Sequence, residues 1–397
     1  MRKLTADYIF PVSSAPLTQH VLVLDDEGKL QRIDPLTQHD PASVEHLDGV
    51  LIPGLINTHC HLELSHLKGK VATGTSLIPF ITSVVQFRDV PEEEILDAID
   101  RADAEMYAGG IVAVGDISNK LDTVKRKLAS PIRYYTFVEM FDFLQDAGAQ
   151  GALDQYLPVY EGQAQGNGNQ RTAVPHAPYS VSKRLFHEIN QLNQGRGTVS
   201  IHNQETPPEN ELFLHKTGAF LDFYGGFQIP LDNFEATGQT AIHYALANMD
   251  PSCRHLFVHN TLSTPADIAA ATAWGQNGMY WATCANANLY IENRLPNYQY
   301  WLDADAKMTI GTDSLTSNWQ LSVLEEMRTI HRYQSYVPFE TLLRWATLNG
   351  AEALQFDADL GSLEVGKTPG VNLLTGLAGS GPDNFKVGKA TEIRRVG

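Results

Sequence analysis

Leu51-Ile52-Pro53-Gly54-Leu55-Ile56-Asn57-Thr58-His59-Cys60-His61 is an apolar run that ends in two histidines one residue apart. In a β-strand, residues i and i+2 point to the same face, so a strand here would present His59 and His61 side by side. Imidazole is the commonest neutral protein ligand for a transition metal. A strand that delivers two imidazoles at its C-terminal end is expected to open a metal-dependent (β/α)8 barrel. Most His-x-His tripeptides are ordinary surface or core residues, so the rest of the chain has to supply the remaining ligands.

Downstream, the chain alternates apolar runs with helical stretches. The runs are Ile111 to Asp116, Ile132 to Glu139, Thr172 to His176, Thr198 to His202, His255 to His259, Met279 to Cys284 and Met308 to Asp313. Continuous apolar runs of this kind are what parallel strands buried on both faces look like. Helical stretches such as Glu92 to Tyr107, Ser182 to Gln194, Pro265 to Trp274 and Leu321 to Tyr333 lie between them. With the run before His59 the strands number eight, and eight β-then-α units imply an α/β barrel. A doubly wound open sheet is the alternative, but no Gly-x-Gly-x-x-Gly follows the first strand.

The two ends of the chain have a different character. Tyr8 to Val12 and His20 to Leu24 are β-rich, and Asp26-Glu27-Gly28-Lys29 is a turn between strands. Val371 to Leu374 is another short apolar strand near the C-terminus. A small composite β-sandwich from residues 1–50 and 357–397 is therefore expected, flanking a catalytic barrel over 51–356. Residues 216–236 form an irregular insert with Phe220, Phe223, Tyr224, Phe227 and Phe234. It would either cover an active site or pack onto the barrel rim.

The 397 residues carry a net charge of −17, which argues against a nucleic-acid surface and against an anionic membrane. No run of about 18 apolar residues is present. Three dispersed cysteines, Cys60, Cys253 and Cys284, suggest neither a disulfide framework nor a thiolate zinc site. The start of the chain lacks the apolar core of a signal peptide. A cytoplasmic protein is the expectation.

Polar residues cluster where the strands end: His59-Cys60-His61, then Pro175-His176-Ala177-Pro178-Tyr179, then His202-Asn203-Gln204-Glu205, then Val258-His259, then Gly311-Thr312-Asp313. In barrels of this kind catalytic groups come from the C-terminal ends of several strands. Taken with Cys284-x-x-x-Asn288 and with Ser317-Asn318 after Asp313, this series resembles the amidohydrolase superfamily, in its cytosine-deaminase and triazine-hydrolase-like branch. The resemblance runs from about residue 50 to residue 367.

The resemblance implies metal ligation by His59, His61, His202 and Asp313. Zinc suits three imidazoles and a carboxylate best, with iron or manganese as alternatives. No lysine stands at the end of the fourth strand, where binuclear relatives place a carboxylated one. One divalent ion is therefore expected, activating a water at neutral pH. By the same resemblance, Asp313 accepts a proton from that water, and Glu205 moves protons to the ring nitrogen and the leaving amine. His259 hydrogen-bonds the attacking oxygen, and His176 faces the substrate. Asn288 and Ser317 are expected at the substrate as well. Two departures stand out. Cys284-Ala285-Asn286-Ala287-Asn288 replaces the usual Cys-Pro-x-Ser-Asn, and Gly366-Lys367-Thr368-Pro369-Gly370 replaces Gly-Lys-x-Ala-Asp.

The implied activity is hydrolytic deamination of a small heterocycle, with relatives often dimeric or larger. His59 to Gly69 looks most similar to aminofutalosine-deaminase-like members, whose adenine-nucleoside-type substrate carries a benzoate carboxylate. Arg88, Arg133 and Arg294 are candidate partners for such a group. Hydrolysis of another C–N or C–Cl bond, of triazine, guanine or cytosine type, and non-catalytic binding of a purine-like ligand are the other readings.

Overall fold

The computed structural model describes residues 1–163 and 165–397. Its strands are β1 (Arg2–Ile9), β2 (His20–Leu24), β3 (Leu30–Pro35), β4 (Glu45–Pro53), β5 (Leu55–Cys60), β6 (Ile111–Ser118), β7 (Arg133–Met140), β8 (Gln170–Pro175), β9 (Thr198–Asn203), β10 (Arg254–His259), β11 (Met279–Thr283), β12 (Lys307–Ile310), β13 (Val371–Thr375) and β14 (Glu392–Arg395). The middle eight, β5 to β12, lie where the apolar runs predict them.

These eight strands form two four-stranded parallel sheets, β5-β6-β7-β8 and β9-β10-β11-β12, each in chain order. All residues of β5, β6 and β9 are buried. Burial on both faces explains why the runs lack polar alternation. Between the two sheets the backbone is bonded at single points. His202 N–H donates to His176 O at 3.0 Å, and the N–H groups of Thr312 and Asp313 both donate to His59 O at 2.9 Å. The second seam also carries an isolated parallel bridge between Cys60 and Asp313.

The connecting helices have readable starts. Glu92–Ala108 opens on Glu92, Glu93 and Glu94, which complement the positive end of the helix dipole. Pro265–Trp274 begins with a capping box in which Thr264 and Asp267 exchange hydrogen bonds, and Pro265 occupies the first turn. None of the described helices is long and apolar enough to cross a membrane. All three cysteines are free and buried.

The terminal strands correct the expected sandwich. They form one mixed six-stranded sheet, in the order β14-β13-β4-β1-β2-β3, rather than two stacked sheets. The reason is β4, which pairs parallel with β1 and antiparallel with β13 and so ties both chain ends into one surface. Along β4, Leu47 and Leu51 join a small core with Leu4, Leu22 and Leu373, whereas Val50 and Ile52 join the large core. The strand's two faces therefore serve two different cores, as a period of two requires.

The opening run is split as well. Leu51 to Pro53 belongs to β4, and β5 starts only at Leu55. Gly54 makes the break. Its N–H donates to the carbonyls of Pro369 and Gly370 at 3.1 and 2.9 Å. A Cβ there would lie 2.3 Å from Val112 Cγ1 and 2.8 Å from Pro369 O, so only glycine lets these backbones approach.

Candidate active site

Every polar group expected at the strand ends lies at the C-terminal end of a parallel strand or just beyond it. His59 is in β5 and fully buried, and His61 follows the strand end. His61 Nε2 is 3.2 Å from His59 Nε2 and 3.3 Å from His202 Nε2. Asp313 Oδ1 sits 3.5 Å from His59 Nε2 and 3.3 Å from His61 Nε2. Ligand atoms of His59, His61 and His202 thus lie within 4.8 Å of one another, and Asp313 joins them through His59 and His61.

Electrostatics leave these groups as ligands rather than as an ion cluster. Burial pushes His59 down, His61 down to about 4 and His202 well below its ordinary value, so the imidazoles are neutral at pH 7. Burial also pushes Asp313 up, but the hydrogen bond with His59, helped by the nearby rings of His61 and His259, outweighs it and holds the carboxyl well below the usual range. His202 Nδ1 lies 2.8 Å from His176 O, so Nδ1 carries the proton and Nε2 offers a lone pair. Ser317 Oγ donates to Asp313 Oδ2 at 2.5 Å and fixes that carboxylate.

The set fits a divalent ion. Tetrahedral zinc with metal–ligand bonds of about 2.0–2.1 Å separates neighbouring ligand atoms by about 3.4 Å. The observed separations of 3.2 to 3.5 Å match that edge. Ligand atoms of His59, His259 and Asp313 also lie within 4.8 Å of one another, as do those of Glu139, His176 and His202.

Glu205 and His259 stand beside this cluster. Glu205 Oε1 is 3.6 Å from His259 Nε2, and both side chains are buried. Burial, with Asp313 and Glu292 nearby, pushes the Glu205 carboxyl well above its ordinary value. Glu209 holds the turn that presents it, accepting the N–H groups of Gln204 and Glu205 at 3.0 Å each. His259 Nδ1 lies 2.8 Å from Asn288 Oδ1. His259 and Asp313 adopt left-handed backbone, φ 72° and 58°, a conformation that non-glycine residues hold only where surrounding structure enforces it.

The cluster forms the floor of a cavity of about 440 Å³, within the range of small-molecule sites. His61, His176, His202, Glu205, His259 and Asp313 all line it. His176 Nδ1 is 2.6 Å from Ser180 Oγ, which leaves Nε2 unbonded. Asn288 and Ser317 do not line the cavity. They stand behind His259 and Asp313 and hold them.

The walls are mostly apolar, and two elements supply much of them. The helix Leu77–Phe87 supplies Leu77, Phe80, Ile81, Val84 and Val85. The insert over 216–236 divides its aromatics. Phe223, Tyr224 and Phe227 face the cavity, while Phe220 and Phe234 are buried in packing. Of the three candidate arginines, only Arg88 reaches the wall. Arg133 pairs with Asp359 at 2.7 Å, and Arg294 is exposed elsewhere.

Sequence reasoning passed over two lining acids. Glu63 Oε2 accepts the N–H groups of Asn119 and Lys120 at 3.0 and 3.2 Å, and burial pushes it up to about 7. Glu139 is the penultimate residue of the third parallel strand, and burial pushes it up to about 8. An acid near the end of an apolar strand was the available signal for Glu139.

Comparison with known proteins places this site in context. The model of the amidohydrolase family matches residues 50–396. The adenosine deaminase of Helicobacter pylori is 27% identical over 330 residues, covering 81% of this chain and 77% of that one. The crystal structure of Helicobacter pylori aminofutalosine deaminase in complex with methylthio-coformycin aligns over 100% of both chains, with a TM-score of 0.79 and 22% identity. That of an adenosine deaminase from Xanthomonas campestris with bound zinc covers 94% of this chain and 84% of that one, with a TM-score of 0.73 and 23% identity. At such identities the two structures speak for the fold.

Proposed function

The chain belongs to the amidohydrolase family, and from that premise we propose that it is a hydrolytic deaminase of adenine-like nucleosides. The observation that carries this reading is the placement of Glu205 and His259 against the His59, His61, His202 and Asp313 cluster on the floor of one cavity. We read the two parallel sheets as one (β/α)8 barrel, a reading supported by the bonds across both seams. Residues 51–356 are its catalytic unit, and 1–50 with 357–397 brace it.

His59, His61, His202 and Asp313 would hold the divalent ion, most simply zinc, as bound in the Xanthomonas campestris enzyme. When bound, the ion supplies a water acidified toward about pH 7. Asp313 takes the proton that this water loses as it adds to the amino-bearing ring carbon. Glu205, protonated in its buried setting, gives its proton to the adjacent ring nitrogen. His259 commits Nδ1–H to Asn288, so its Nε2 accepts from the incoming water and orients it. The carbon–nitrogen bond then breaks: the amine takes the proton held on Asp313 and leaves as ammonia, the new hydroxyl returns a proton to Glu205 as it becomes a carbonyl, and the ring nitrogen keeps its N–H. Ser317 and Asn288 act as positioning residues for Asp313 and His259.

The finer reading is a nucleoside with an anionic substituent, such as aminodeoxyfutalosine. Arg88 supports it, being the one arginine or lysine among the described wall residues and having no ion-pair partner there.

Metal analysis together with an ammonia-release screen over adenine nucleosides, purines, pyrimidines and triazines tests the proposal. One equivalent of metal and ammonia from adenine nucleosides are expected. Bound metal without ammonia would favour another leaving group, and no metal would favour a ligand-binding barrel. Glu205→Gln should keep the metal and lose about 100- to 10,000-fold in kcat. Near-full activity in that variant would remove Glu205 as proton donor.

A further inference from the structure

One buried acid on the cavity wall is used by none of these steps. Glu139 lies one residue before the end of β7, two strands along from β9, which leads into His202 and Glu205. Its side chain is 5% exposed and lines the cavity. Its Oε1 has no hydrogen-bond partner among the described residues. The neighbouring N–H on His202 Nδ1, 3.5 Å away, is already given to His176 O. Asn119 Nδ2 donates to the Glu139 carbonyl at 2.8 Å and also acts on the carboxyl group, so the unpaired acceptor is Oε1 alone.

A carboxyl left unpaired at this depth is costly, so a ligand group that pairs with it gains from doing so. The chemistry of that group is constrained. An ammonium group pairs only with the ionised form, and a carboxylate only with the protonated one. A hydroxyl donates and accepts, and so pairs with either. The apolar walls from the helix Leu77–Phe87 and from the insert give sugar hydroxyls few other partners.

We infer that Glu139 is a specificity-determining residue that hydrogen-bonds a sugar hydroxyl of the nucleoside. The inference rests on the nucleoside reading above. The test compares wild type with Glu139→Ala on adenosine, 2′-deoxyadenosine, 3′-deoxyadenosine and 2′,3′-dideoxyadenosine, with kcat and KM resolved and metal content measured. In wild type, removal of the contacted hydroxyl should lower kcat/KM by about 10- to 100-fold. Glu139→Ala should lose the same factor on adenosine, treat the four nucleosides alike and keep its metal. Glu139→Gln, which retains an acceptor oxygen, should recover most of the discrimination. Wild-type discrimination persisting in Glu139→Ala overturns the inference, as does a wild type indifferent to the hydroxyls. A uniform loss accompanied by loss of metal assigns Glu139 to support of His202 and overturns it too. Ammonia from none of the four with wild type overturns the nucleoside reading and this inference together.

Discussion

The parallel strands end in or beside His61, Glu139, His176, His202, His259 and Asp313, whereas the strands of the terminal sheet end in Ile9, Leu24, Pro35, Pro53, Thr375 and Arg395. Both sets contribute apolar side chains to buried cores, although the outer strands β3 and β14 are polar and partly exposed. They differ in what surrounds their ends. The parallel strands point their C-terminal ends at one cavity, where side chains from strands far apart in sequence meet. The antiparallel neighbours of the terminal sheet send their ends in opposite directions, so no such meeting point arises. Direction, more than composition, decides which strands carry chemistry.

This contrast can be broken at its strongest point first. His61→Ala should lose bound metal and activity by orders of magnitude, with metal content and ammonia release as readouts. Stoichiometric metal in that variant would take His61 off the ligand set. In the terminal sheet, Leu22 is fully buried in the small core. Leu22→Ala should cost about 2–5 kcal/mol of stability by chemical denaturation. Its metal content and KM should stay at wild-type values, and a change in either would show that the sheet reaches the site. Arg88→Met sharpens the comparison within the cavity. It should lower kcat/KM by about tenfold or more for nucleosides with an anionic tail and leave adenosine unaffected. Equal losses on both would make Arg88 part of the wall only.

The smallest expected effect is a pH dependence set outside the site. His331 Nδ1 accepts Val387 N–H at 2.8 Å, and Nε2 lies 3.2 Å from Val337 O, so the folded protein holds the neutral ring. Burial, aided by the nearby Lys386 charge, pushes it down to about 4. In the unfolded chain the ring takes up its proton near pH 6.5. Its contribution is therefore complete above about pH 6.5 and is lost as pH falls toward 4. A difference of roughly 2 kcal/mol between pH 7 and pH 4 is expected to vanish in His331→Gln. Parallel pH–stability curves for variant and wild type would remove His331 as its source.

Much of this organisation was legible in the chain. Eight buried runs, and His or Asp at five of their ends, located the parallel strands and the residues that meet there. Gly54 was harder. Apolar residues continue on both sides of it, and the close approach to Pro369 that makes it a break joins positions more than three hundred residues apart. The single terminal sheet was hidden for the same reason, since β4 pairs with strands from both ends. Arg88 depends on how a helix end leans over a cavity, which spacing does not reveal. Asn288 and Ser317 carry the right functional groups but reach His259 and Asp313 rather than the cavity. Glu139 lies one residue before its strand end, and a lone glutamate there, unlike a His-x-His pair, carries no metal-ligand spacing to single it out.

The position of β4 between β1 and β13 also orders events during biosynthesis. Its partner on one side is made first, and its partner on the other emerges only when residues 371–375 leave the ribosome. Until then an apolar strand edge stays open beside the completed parallel sheets, inviting association with other nascent chains. Truncations that remove the last two strands should therefore cause aggregation in the cell, even though every proposed metal ligand is retained.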